Sequence, residues 1–72
     1  MRIPEIVSKI INDRGVTQTW VAQKMNEANP SLKMDSTKFS AIVNETRKMS
    51  GDELLAFCLA LGINPDIFIK AD

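Results

Sequence analysis

The side chains of this 72-residue chain that can do chemistry are hydrogen-bonding and ionic ones. Ser36-Thr37-Lys38 places two hydroxyls and an ammonium in a row, and Arg47-Lys48 adds a dibasic pair downstream. Such groups recognise oxygen-rich partners but do not by themselves break bonds. The groups that catalysis would need are missing. There is no His and no Tyr, which removes the commonest general acid–base side chains. No nucleophile is set with a base, and no glycine-rich phosphate loop is present. Asp52 and Glu53 follow Ser50 at capping-box spacing, so these carboxylates belong to a helix start and its dipole. Cys58 is the single cysteine and, without histidine, leaves no zinc-ligand set and no internal disulfide. It reads as a small buried hydrophobe. The expectation is a non-enzyme with no metal and no cofactor.

Charge narrows the partner. The formal net charge is zero, which argues against a phosphate-gripping surface. The distribution argues the other way: residues 33–48 carry four basic and two acidic groups, whereas residues 49–72 carry one basic and four acidic ones. A neutral whole can present a basic face. The opening MRIPEIVSKII holds Glu5 and Lys9 and has no small-residue cleavage site, so no signal peptide is expected. No apolar stretch reaches the roughly 18 residues of a membrane span. A cytoplasmic location, nucleoid-associated when bound to DNA, is expected.

The elements that must position these residues are helices. No linker, repeat or low-complexity segment divides the chain, so residues 1–72 are read as one domain. The spacing predicts a first helix over about Pro4–Arg14, with Gly15 as its stop and Ile3, Ile6, Val7 and Ile10 as its core stripe. A second follows the capping Thr17 and runs to about Ala28, burying Val21, Ala22 and Met25. Asn29-Pro30-Ser31 breaks the pattern. A third starts at Asp35 or Ser36 and reaches about Asn44. It buries Phe39, Ile42 and Val43 and turns Thr37, Lys38, Ala41 and Asn44 outward. The fourth opens at Ser50, ends at Gly62 and buries Leu54, Phe57, Cys58 and Leu61. Asn64-Pro65 opens a fifth short helix carrying Ile67 and Phe68. Nothing alternates with strand period, so the class is all-α.

Five short helices in this order resemble the lambda-repressor-like helix-turn-helix family, of the xenobiotic-response-element, Cro and phage repressor type, from Ile6 to Phe68. Val16-Thr17-Gln18 with Val21-Ala22 and Met25 is similar to that family's second helix. Phe39-Ser40 with Ile42 is similar to its recognition helix, and Arg47-Lys48 to the basic stretch that follows. Leu54, Phe57, Cys58, Leu61-Gly62-Ile63 and Phe68 resemble its closing apolar pattern. Two departures stand out. Asn26–Lys33 extends the connection between helices two and three and contains no glycine, with Met34 left to fill the turn's hydrophobic position. Glu45 stands where the recognition helix often ends in glycine.

The resemblance implies a sequence-specific, double-stranded-DNA-binding regulator, plausibly a phage or prophage repressor, with no small-molecule effector evident. The third helix would enter the major groove and the second would cross the backbone. Ser36, Thr37, Lys38 and Ala41 would read bases. Gln18, Asn44, Arg47 and Lys48 would contact phosphates. The same residue types also suit an ordinary solvated face and loop. A homodimer would span two half-sites about 34 Å apart. Leu55, Leu59, Ile67 and Ile69 are the self-contact or, equally, an extension of the core. Trp20 lies off the core stripe and is expected to cover the Asn26–Lys33 segment, with an interface as the alternative. The rival reading is a protein-interaction module of antirepressor or antitoxin-like kind, built on the same scaffold with little DNA binding.

Overall fold

A computed structural model describes residues 2–69, and these are all-helical: four α-helices, two short 3-10 turns and no strand. The α-helices are α1 (Ile3–Arg14), α2 (Gln18–Ala28), α3 (Ser36–Val43) and α4 (Gly51–Leu61). Each begins and ends for a local reason. α1 takes Pro4 in its first turn and stops at Gly15, whose φ of 65° is left-handed. The Thr17 hydroxyl accepts the Trp20 N–H at 3.0 Å and starts α2. The Asp35 carboxylate accepts the Lys38 N–H at 2.7 Å and starts α3. α4 opens on a full capping box. Ser50 Oγ accepts the Glu53 N–H at 3.2 Å, and Glu53 Oε1 accepts the Ser50 N–H at 2.9 Å.

The C-terminal segment corrects the expectation of a fifth α-helix. Pro65–Phe68 is a 3-10 turn, in which the Ile67 N–H reaches the Asn64 carbonyl and the Ile69 N–H the Asp66 carbonyl. Four residues close too few i→i+4 bonds to offset helix nucleation. A second 3-10 turn, Pro30–Leu32, orders the α2–α3 connection, which was expected only as a break. There Asn29 Oδ1 accepts both the Ser31 N–H at 3.3 Å and the Ser31 hydroxyl at 2.7 Å.

The core draws on every helix. Val7 and Ile11, Val21, Ala22 and Met25, Phe39 and Ile42, and Ala56, Phe57, Cys58 and Leu61 are buried, joined by Met34 and Phe68. Along α1 the centre belongs to Val7 and Ile11, four residues apart, while Ile3, Ile6 and Ile10 line the flanks half-buried. Val43 and Leu54 are likewise only half-buried. Phe39 stacks on Phe57 with ring centroids 6.1 Å apart, and Phe68 meets Phe57 edge-on at 6.3 Å. These three rings tie α3 to α4 and to the C-terminal turn. α2 packs mainly on α4 and touches α3 and the Pro30–Leu32 turn, while α1 meets α3. Arg14 Nη1 donates to the Leu61 carbonyl at 2.6 Å, which places a cation on the C-terminus of α4. Among the described residues no helix is long and apolar enough to cross a membrane.

Candidate nucleic-acid interface

The polar edge of interest is the first turn of α3. Its inward side is anchored by Phe39 and Ile42, both fully buried, while Ser40 between them faces α2. Ser36 and Thr37 are exposed, Lys38 and Ala41 are half-buried, and Asn44 is exposed just past the helix. The Lys38 ammonium folds back and donates to the Lys33 carbonyl at 3.0 Å. Ala41 contributes more through its backbone than its methyl. Its carbonyl accepts from the N–H groups of Thr46 and Arg47 and from the Thr46 hydroxyl, closing the C-terminal turn of α3.

Two side chains hold α3 against α2. Gln18 Oε1 accepts the Ser40 hydroxyl at 2.5 Å, joining the start of α2 to the middle of α3. That bond leaves the Gln18 amide NH2 to donate elsewhere. Asn26 bridges the far end of α2. Its Nδ2 donates to the Met34 carbonyl and its Oδ1 accepts the Met34 N–H, each at 2.7 Å. Met34 is buried and Leu32 half-buried against the core, so the extended connection is pinned at both edges. This double bond fixes the end of the connection against α2.

The segment after α3 is less free than its composition suggests. Arg47 Nη2 donates to Glu53 Oε2 at 2.7 Å, and Glu53 is buried within the capping box. Burial pushes the Glu53 carboxyl up, but the Ser50 backbone N–H and Arg47 outweigh it and hold the group below its ordinary value. Arg47 therefore first serves as the counterion of a buried acid, though its side chain stays 40% exposed and keeps further N–H donors. Lys48 is exposed and, with Arg2, Ile3, Pro4 and Met49, lines a surface cavity of about 290 Å³. Glu45 takes a left-handed φ of 65° and pairs with Arg2.

Ion pairing sorts the charges. Among the described residues Arg2 pairs with Glu45, Lys9 with Asp13, Lys24 with Glu27 and Arg47 with Glu53. Arg14 is held by the Leu61 carbonyl. Besides Arg14, the described cations without a carboxylate partner are Lys33, Lys38 and Lys48, which in sequence lie before, within and after α3. The remaining described acids, Glu5, Asp35, Asp52 and Asp66, sit at helix or turn starts, where they offset the positive end of the dipole.

Other chemistry finds little purchase. Among the described residues no three Cys, Asp or Glu side chains converge to hold a metal ion. Cys58 is buried, and burial pushes its thiol up, away from the reactive thiolate. Leu55, Leu59, Ile67 and Ile69 are 52%, 72%, 43% and 75% exposed, so they do not extend the core of this chain. Trp20 is exposed, with the Lys24 ammonium 5.6 Å from its ring centroid.

Residue reading alone missed Asn26 and Lys33. The signal for Lys33 was the positive excess over residues 33–48. Asn26 gave none, because a backbone clamp on Met34 depends on the path of the connection. Comparison with protein-family models, curated proteins and solved structures finds no match to this chain.

Proposed function

We propose that this chain is a sequence-specific, double-stranded-DNA-binding regulator of the lambda-repressor-like helix-turn-helix kind, with α3 as the reading helix. One observation carries the reading: the exposed Ser36–Thr37 start of α3 stands beside Lys33 and Lys38, which no carboxylate neutralises among the described residues. The neutral net charge is then no obstacle, since internal pairing silences charge elsewhere and leaves positive potential beside the reading edge. Ser36 and Thr37 contact base edges in the major groove, and the Ala41 methyl meets a thymine methyl at the groove floor. Lys38 stays with Ser36 and Thr37 at the base edges, Gln18, Asn44 and Lys48 contact phosphates, and Arg47 adds a donor while it anchors Glu53. Hydroxyls discriminate bases less than a bidentate Arg or Asn does, so DNA shape supplies part of the specificity.

A second copy of the chain completes the unit. Leu55 and Leu59 lie one turn apart on α4, and exposed leucines at that spacing form an apolar stripe suited to a two-fold self-contact. Ile67 and Ile69 add exposed apolar surface beyond the C-terminal turn. Exposed Trp20 favours the rival reading, a protein-interaction module on the same scaffold. Random-oligonucleotide selection followed by salt titration decides between them. Enrichment of a palindromic site with steep salt dependence is the expected result. No enrichment at low salt sinks the regulator and leaves the interaction module.

A further inference from the structure

We propose that the Asn29–Lys33 segment is a rigid second DNA contact, in which Lys33 grips a backbone phosphate beside the groove that α3 enters. The proposal rests on the regulator reading and adds to it an element outside the two packed helices.

Rigidity comes first. A loose loop loses conformational freedom on binding and adds little affinity. This one is already ordered. Asn26 holds Met34 through two bonds of 2.7 Å, Met34 and Leu32 pack inward, and Asn29 closes the Pro30–Leu32 turn with two bonds to Ser31. The exposed residue between the two packed ones is Lys33.

Position and charge come next. The Lys38 ammonium reaches the Lys33 carbonyl at 3.0 Å, so the Lys33 backbone lies against the first turn of α3, where the reading edge begins. No carboxylate pairs with Lys33 among the described residues, and Asp35, two residues on, is engaged by the Lys38 N–H at 2.7 Å. The Lys38 ammonium and the backbone of the exposed Lys33 thus meet at the start of α3.

Backbone conformation is the third observation. Lys33 has φ 50° and ψ 44°, a left-handed geometry that glycine adopts freely and that a lysine, lacking the short polar side chain of Asn, does not favour. Fold stability alone would place glycine here. Glu45 shares this conformation but is paired with Arg2, so the strain points to use at Lys33 only together with its exposure and its lack of a carboxylate partner among the described residues.

The test separates stability from binding. It uses the full chain, a duplex obtained by selection, and an unrelated duplex of equal length. Lys33→Gly relieves the backbone and removes the ammonium, so the melting midpoint rises by about 2–5 °C. At the same time the slope of log K against log salt falls by about 0.9 on both duplexes. Lys33→Gln lowers the slope equally without the thermal gain, and Lys33→Arg keeps the slope. An unchanged slope in both Lys33→Gly and Lys33→Gln, with a parent that binds steeply, overturns the phosphate grip and leaves the regulator reading standing. A parent that enriches no duplex at low salt overturns the regulator reading itself.

Discussion

The Arg47 guanidinium donates to a buried Glu53 carboxylate at 2.7 Å, so the basic stretch after α3 is fastened to the capping box that starts α4. The pair joins the end of the candidate reading unit to the first turn of the helix that carries the exposed Leu55 and Leu59. A cation that looks like a surface charge in the sequence is part of the fold. Its loss exposes the cost of an unpaired buried acid.

That relationship gives stability a pH dependence of defined sign. The folded Glu53 carboxyl binds its proton less tightly than the unfolded group, whose ordinary value is 4.5. Its stabilising contribution is complete above that value and is lost as pH falls through the lower, folded one. Urea unfolding from pH 7 to pH 3 is expected to show a steeper acid loss in the parent than in Glu53→Gln. Parallel curves for the two proteins count against the assignment.

Arg47 and Lys48 separate on the same logic. Arg47→Ala leaves Glu53 without its partner and is expected to cost about 1–2 kcal/mol of stability, the half-exposed side chain keeping this below a fully buried pair. Lys48→Ala leaves stability unchanged and lowers the DNA salt slope by about 0.9. Chemical denaturation and salt titration of the two single variants check both halves. Equal stabilities for the two variants contradict the division.

Glu45 holds a left-handed φ of 65° at the end of α3, the position for which glycine is suited. Its pairing with Arg2 is an exposed contact worth little. Glu45→Gly is therefore expected to stabilise the chain by about 0.5–1 kcal/mol. A lower melting midpoint in this variant means that the ion pair matters more than the backbone.

Base reading and phosphate gripping leave different fingerprints. Replacing Ser36 and Thr37 together by Ala is expected to weaken binding to the selected site by about tenfold while the salt slope stays put, since neither residue neutralises a phosphate. Binding to unrelated duplex should not change. Uniform weakening on both duplexes moves these hydroxyls from base edges to the backbone.

The leucine stripe on α4 is testable without DNA. Leu55→Glu with Leu59→Glu is expected to leave the melting of the monomer intact, because both side chains are exposed, and to abolish self-association in sedimentation. A parent that sediments as a monomer at high concentration, with and without its site, removes the dimer from the reading.

Much of the fold was legible because helix ends are local chemistry. Thr17, Asp35 and Ser50 cap N–H groups three residues ahead, and Gly15 and Gly62 reverse the chain with φ near 65°. Such signals need only neighbours in the chain, as do the core residues Val21, Ala22 and Met25 at helical spacing. The last segment misled for a related reason: Pro65 starts a turn as readily as a helix, and only its length of four residues settled the 3-10 form.

By itself, then, the chain's residue order determined where the four α-helices lie, though it offered a fifth helix that is a 3-10 turn, and it determined an apolar interior and a chain without histidine. Tertiary structure decided the polar contacts between elements. Arg47 finds Glu53, Gln18 finds Ser40 across 22 residues, and Asn26 finds the Met34 backbone across the extended connection. Periodicity states which face a side chain takes. A hydrogen bond or ion pair forms over about 3 Å, and that distance is set when α2, α3 and α4 pack, not by any neighbour along the chain.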